Sequence, residues 1–91
     1  MPYIPRKRRT CLKWILNRLL TELGGLENPN IDGELNYCFT YLLRSIFESE
    51  KNYRNLQRMI GILECCKLEL YRVVLSPYEE AKRRERGDIF E

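Results

Sequence analysis

The chain has no histidine. It therefore lacks the one side chain whose unperturbed pKa suits proton transfer near neutral pH. It also has no CxxC pair, so a zinc site is not expected. No glycine-rich phosphate loop is present, because Gly24-Gly25 closes an apolar-periodic stretch whereas such loops open a helix. No apolar run is long enough for a signal sequence or a bilayer span, so a membrane protein is not expected and the cytosol is. Strand signals are weak throughout. These absences point away from an enzyme, and no catalytic residue, cofactor or metal is expected.

Four cysteines stand at 11, 38, 65 and 66. Their number is even, but Cys65 and Cys66 are adjacent on an expected helix, where side chains diverge by roughly 100°. They read as small packed apolar groups in a reducing compartment rather than a disulfide framework. The 91 residues make one domain, 1–91, near the lower end of what folds alone. Oligomerisation is a natural supplement at this size.

Apolar spacing predicts an all-α fold. Leu12, Ile15, Leu16, Leu19, Leu20 and Leu23 recur at steps of three and four and predict a shorter first helix over 10–23. Thr10 is its expected cap, and Gly24-Gly25 stops it. Leu35, Cys38, Phe39, Leu42, Leu43 and Ile46 predict a second helix capped by Asp32. The short link "ESEKN" favours an antiparallel hairpin with a third helix over 52–75. On that helix Leu56, Ile60, Leu63, Lys67, Leu70 and Val74 form a heptad-like seam with one lysine in it. Met59, Ile62, Cys66 and Val73 lie beside the seam as a second stripe, so the helix is expected to meet two partners. Ser76-Pro77 predicts a break: Ser76 as a cap, Pro77 in the first turn and Glu79 returning a capping-box bond. A short terminal helix would follow to Arg86, with a tail to residue 91.

Charge is uneven. Residues 1–21 hold Arg6, Lys7, Arg8, Arg9, Lys13 and Arg18 and no acid, whereas residues 22–80 hold ten acids against six bases. Residues 1–9 read as a basic arm on a mildly acidic body. Tyr3 lies beside this block, and Tyr78 beside a second block of Lys82, Arg83 and Arg84. Asn36, Tyr37, Tyr41 and Arg44 share a stretch of the second helix. Arginine suits phosphate through its planar fork, and tyrosine can stack on a base. If the termini meet, Tyr3, Arg6, Arg8, Arg9, Asn36, Tyr37, Tyr78, Lys82 and Arg83 are the expected ligand-binding residues. The same combination equally suits a polypeptide.

"MPYIP", "GELNY" at 33–37, "GILECCKLELYR" at 61–72, "PYEEAK" at 77–82 and "GDIF" at 87–90 resemble, in that order, a family of small uncharacterised proteins of phages and prophages. The chain departs from that pattern at Val73, Arg86 and Phe90. The resemblance implies a phage-type accessory protein acting in the host cytoplasm and supplies no activity. The expectation is a non-enzymatic homo-oligomer that sequesters a phosphate-bearing nucleotide signal, such as a cyclic nucleotide. The alternatives are an inhibitor or adaptor of a host protein and a nucleic-acid-binding regulator.

Overall fold

In a computed structural model, which describes residues 2–91, the chain is all helical. The elements are α1 (Arg6–Leu23), α2 (Ile31–Phe47), α3 (Tyr53–Leu70), a π-helical turn (Tyr71–Leu75) and α4 (Ser76–Arg86). No strand occurs among the described residues.

The helix starts differ from the expected ones, for reasons of backbone geometry. Pro5 has φ −54° and ψ 142°, and its carbonyl accepts the N–H groups of Arg8 at 3.0 Å and Arg9 at 3.1 Å. Proline's fixed φ thus starts α1 at Arg6. Arg6 to Arg9 are its first turn rather than part of an arm, and α1 is as long as its neighbours. Thr10 does not cap; its hydroxyl donates back to the Arg6 carbonyl at 3.2 Å. At the far end Gly24, with φ 82°, closes the helix through its N–H to the Leu20 carbonyl. A left-handed residue here suits glycine, which has no Cβ to clash.

Asp32 is not a cap either. It lies inside the first turn of α2, where its charge favours the positive helix end, while Asn30 holds the cap position without a side-chain bond. The connector is tied by Asn28. Its amide donates to the Leu23 carbonyl at 2.8 Å and to Glu34 Oε1 at 2.9 Å, and its Oδ1 accepts the Asn30 N–H at 3.0 Å. α3 has a side-chain cap: Asn52 Oδ1 accepts the Asn55 N–H at 2.9 Å.

Pro77 does not end a helix. Backbone helicity runs from Tyr53 through to Arg86. Ser76 is itself helical (φ −60°, ψ −47°), and no side-chain capping bond forms there. In an unbroken α-helix the proline ring would press on the carbonyl of Val73, and that carbonyl would lose its donor. The π turn relieves this conflict. Ser76 N–H bonds five residues back to Tyr71, and the wider turn makes room for the ring.

Packing is concentrated at the helix ends. Leu23 and Phe47 are the buried apolar residues among those described. Leu23 sits at the α1–α2 joint. Phe47 sits at the α2–α3 joint, with the Arg58 guanidinium 5.4 Å from its ring centroid. Between the joints the faces are bare. In the α3 seam Ile60, Leu70 and Val74 are 60%, 63% and 61% exposed. Cys11, Cys65 and Cys66 are exposed, Cys38 is half-buried, and all four thiols are free, so the expected packing of the cysteines is not found within one chain. The radius of gyration is 17.2 Å, against about 12 Å for a compact domain of this length. No helix among the described residues is long and apolar enough to cross a membrane.

Candidate functional site: three polar clusters on an open helical frame

The first cluster ties the segment before α1 to the end of α3 and the start of the π turn. Pro2 to Pro5 run as a short strap before α1. The strap's Tyr3 hydroxyl donates to Glu69 Oε1 at the end of α3. Arg72, one turn on, donates to Tyr3 Oη at 3.3 Å and to both Glu69 oxygens at 3.0 and 3.1 Å. The Tyr3 hydrogen bond, helped by Arg72, holds the Glu69 carboxyl below its ordinary range. The same bond to Glu69 pushes the Tyr3 phenol up. The bond needs a charged carboxylate to accept and a neutral phenol to donate, and it favours both of those forms, which accounts for both directions. Arg9 Nε donates to the Ile4 carbonyl at 2.7 Å and braces the strap from the α1 side. Beyond it, Arg6, Lys7 and Arg8 project from the first turn of α1, where no acid is present. Among the described residues, no carboxylate pairs with any of Arg6, Lys7, Arg8 and Arg9.

The second cluster lies on α2. Tyr37 and Tyr41, one turn apart, have ring centroids 5.8 Å apart and planes tilted by 31°. Thr40 donates to Asn36 Oδ1 at 3.3 Å. An open hollow of ≈ 450 Å³ runs along the two tyrosines to Arg44 and Glu48. Glu48 is tied to Lys51 at 2.7 Å, and the lysine's hydrogen bond lowers the pKa of that carboxyl.

The third cluster is α4, where the cations are largely neutralised by neighbouring acids. Lys82 lies over the Tyr78 ring, 5.7 Å from its centroid, and 3.4 Å from Glu85. Arg83 reaches Glu80 at 3.3 Å and Asp88 at 3.2 Å, and Arg84 reaches Glu80 at 3.7 Å. Gly87, with φ 90°, turns the tail back so that Asp88 can make its contact.

The structure therefore distributes the nine expected ligand residues over three places. Tyr3 does meet the long helix, but at Glu69 and Arg72. Lys82 and Arg83 lie ten or more residues further on, about 15 Å along the axis. No hydrogen bond or ion pair among the described residues joins Asn36 or Tyr37 to either terminal set. Glu69 and Arg72 were missed as functional candidates. Their signal in the sequence is an acid and a base at the (i, i+3) spacing in "ELYR", a stretch that also carries the resemblance noted above.

Among the described residues no group of cysteines and carboxylates stands together to hold a metal. No curated protein and no solved structure matches the chain. A family profile matches residues 1–89. The chain belongs to the family described as Domain of unknown function (DUF6899).

Proposed function

We propose that the protein is a non-enzymatic binding module that works as an oligomer and captures a phosphate-bearing ligand at the first turn of α1. One observation carries the ligand assignment. Arg6, Lys7, Arg8 and Arg9 share a helical turn with no acidic partner, whereas Lys82, Arg83 and Arg84 of α4 are held by Glu80, Glu85 and Asp88. Unpaired guanidinium groups at a helix start add to the positive potential of the free backbone N–H groups there. The strap supports the reading by fixing the chain just before this turn. The resemblance to small phage and prophage proteins favours a nucleotide signal as the ligand, sequestered rather than turned over.

Isothermal calorimetry against cyclic di- and trinucleotides tests this, run beside a DNA-binding titration at several salt concentrations. Sequestration predicts a fixed stoichiometry per chain, and binding lost in Arg6→Ala/Arg8→Ala. Affinity for DNA that falls steeply with salt would replace it with a nucleic-acid role, because counterion release has that signature. No heat with any nucleotide and no DNA binding would overturn phosphate capture.

A further inference from the structure

The seam on α3 has no cover within the chain. Leu56 and Leu63 are 42% and 40% exposed, and the other apolar members more so. The accessible surface of the chain is 8770 Å², where a compact monomer of 11.0 kDa has about 5,600 Å². The excess, about 3,000 Å², is several times the ≈ 800 Å² that each partner contributes to a standard interface. An excess of this size, with the apolar seam among the exposed residues, calls for a permanent partner rather than a transient one.

We propose that the partner is a second copy of this chain, and that the two copies pair antiparallel along the α3 seam. Within α3 the steps from Ile60 through Leu63 and Lys67 to Leu70 are three, four and three, so reversing the helix maps these four residues onto themselves. Ile60 then faces Leu70 of the other copy and Lys67 faces Leu63, while Leu56 lies toward the other copy's π turn, which holds Val74. Lys67 decides the direction. In a parallel pair its ammonium would meet its own copy within an apolar seam, and like charges so placed repel. In the antiparallel pair each Lys67 lies opposite Leu63 and beside the other copy's Glu64, while keeping its own Glu64 at 3.3 Å. The lysine stem covers apolar surface and its head stays at the rim. The contact runs about 27 Å along the helix axis. Near the α2–α3 joint Asn55 and Met59 are half-buried, whereas Leu56, Ile60 and Leu63 are exposed and open to the second copy.

This pairing rests on the oligomeric part of the reading above and not on its ligand. Calorimetry without heat leaves the pairing standing, and a monomeric chain leaves the ligand titration standing. The test has two arms. Light scattering of the unmodified protein should give an even multiple of the chain mass at tens of micromolar. A monomer or a trimer overturns the proposal, including in favour of a different protein as the occupant. In a background with the four native cysteines replaced by serine, Ile60→Cys and Leu70→Cys are made as separate variants. Mild oxidation should cross-link only the mixture of the two. A cross-link within either variant alone shows parallel pairing, and a folded dimer that gives none shows a different interface. Either result overturns the register.

Discussion

The ends of the helices and their middles are built to different standards. At the ends, Asn28 ties three backbone or side-chain groups, Asn52 caps α3, Phe47 is buried, and Tyr3, Glu69 and Arg72 lock together. In the middles, leucines and isoleucines face outward. One chain therefore specifies how its helices are joined but does not supply the interior that would hold them. The Asn28 and Asn52 joints are local and Tyr3–Glu69 ties distant parts of the sequence, while the faces between them have no cover within the chain.

The sharpest way to break this contrast is at a joint. Phe47→Ala removes one of the two buried apolar side chains and should cost about 3 kcal/mol, the low end for such truncations. Urea unfolding at fixed protein concentration measures it. A loss below about 1 kcal/mol would mean that the joint contributes little and that the faces hold the fold. Next, Asn52→Ala removes a bonded cap and should cost about 1 kcal/mol in the same assay.

The strap gives a smaller, local effect with a defined pH window. The folded Glu69 pKa is depressed, so its contribution is present above the ordinary carboxylate pKa and is lost as pH falls through the folded value. The folded Tyr3 pKa is raised, so its contribution is present below the ordinary phenol pKa and is lost as pH rises through the folded value. The strap should therefore hold between about pH 4 and pH 10 and release on either side. Amide exchange over the first turn of α1, where the Arg8 and Arg9 N–H groups bond the Pro5 carbonyl, should quicken at both extremes relative to its intrinsic rate at each pH. In Tyr3→Phe it should be fast at neutral pH. Exchange unchanged by Tyr3→Phe would show that the strap is held by something else.

The smallest expected effect is also a direct contrast of caps. Ser76→Ala should change stability by less than about 0.5 kcal/mol, because Ser76 is an interior helical residue and alanine is the better helix former. A loss near that of Asn52→Ala would restore Ser76 as a cap and show a break at Pro77.

The sequence made some of this plain. Steps of three and four placed the three main helices, and the seam on α3 was readable because its periodicity is a property of the helix alone. Helix starts were harder. Thr10, Asp32 and Ser76 have the right side chains for caps, but capping requires a non-helical backbone at that residue. Pro5 and the π turn determined otherwise. Burial was not legible, since an apolar stripe looks the same whether its cover lies in the same chain or another. Of the site, the basic block was visible as composition. Its contrast with α4 became clear only once Glu80, Glu85 and Asp88 were seen beside their cations. The Tyr3–Glu69 pairing spans almost the whole chain, and no local pattern specifies such a contact.

The π turn also acts as a phase setting. It takes one residue more than an α turn, so every side chain after it is rotated by about 100° from where an uninterrupted helix would carry it. The angle between the apolar seam of α3 and the charged flank of α4 is therefore fixed by the extra residue in this turn, which the Pro77 ring requires. Removing one residue between Tyr71 and Leu75 as the turn reverts to an α turn would leave Tyr78, Lys82 and Arg83 on their present bearing, whereas an α turn of unchanged length, which Pro77→Ala permits, would rotate them together by about 100° with their own contacts intact.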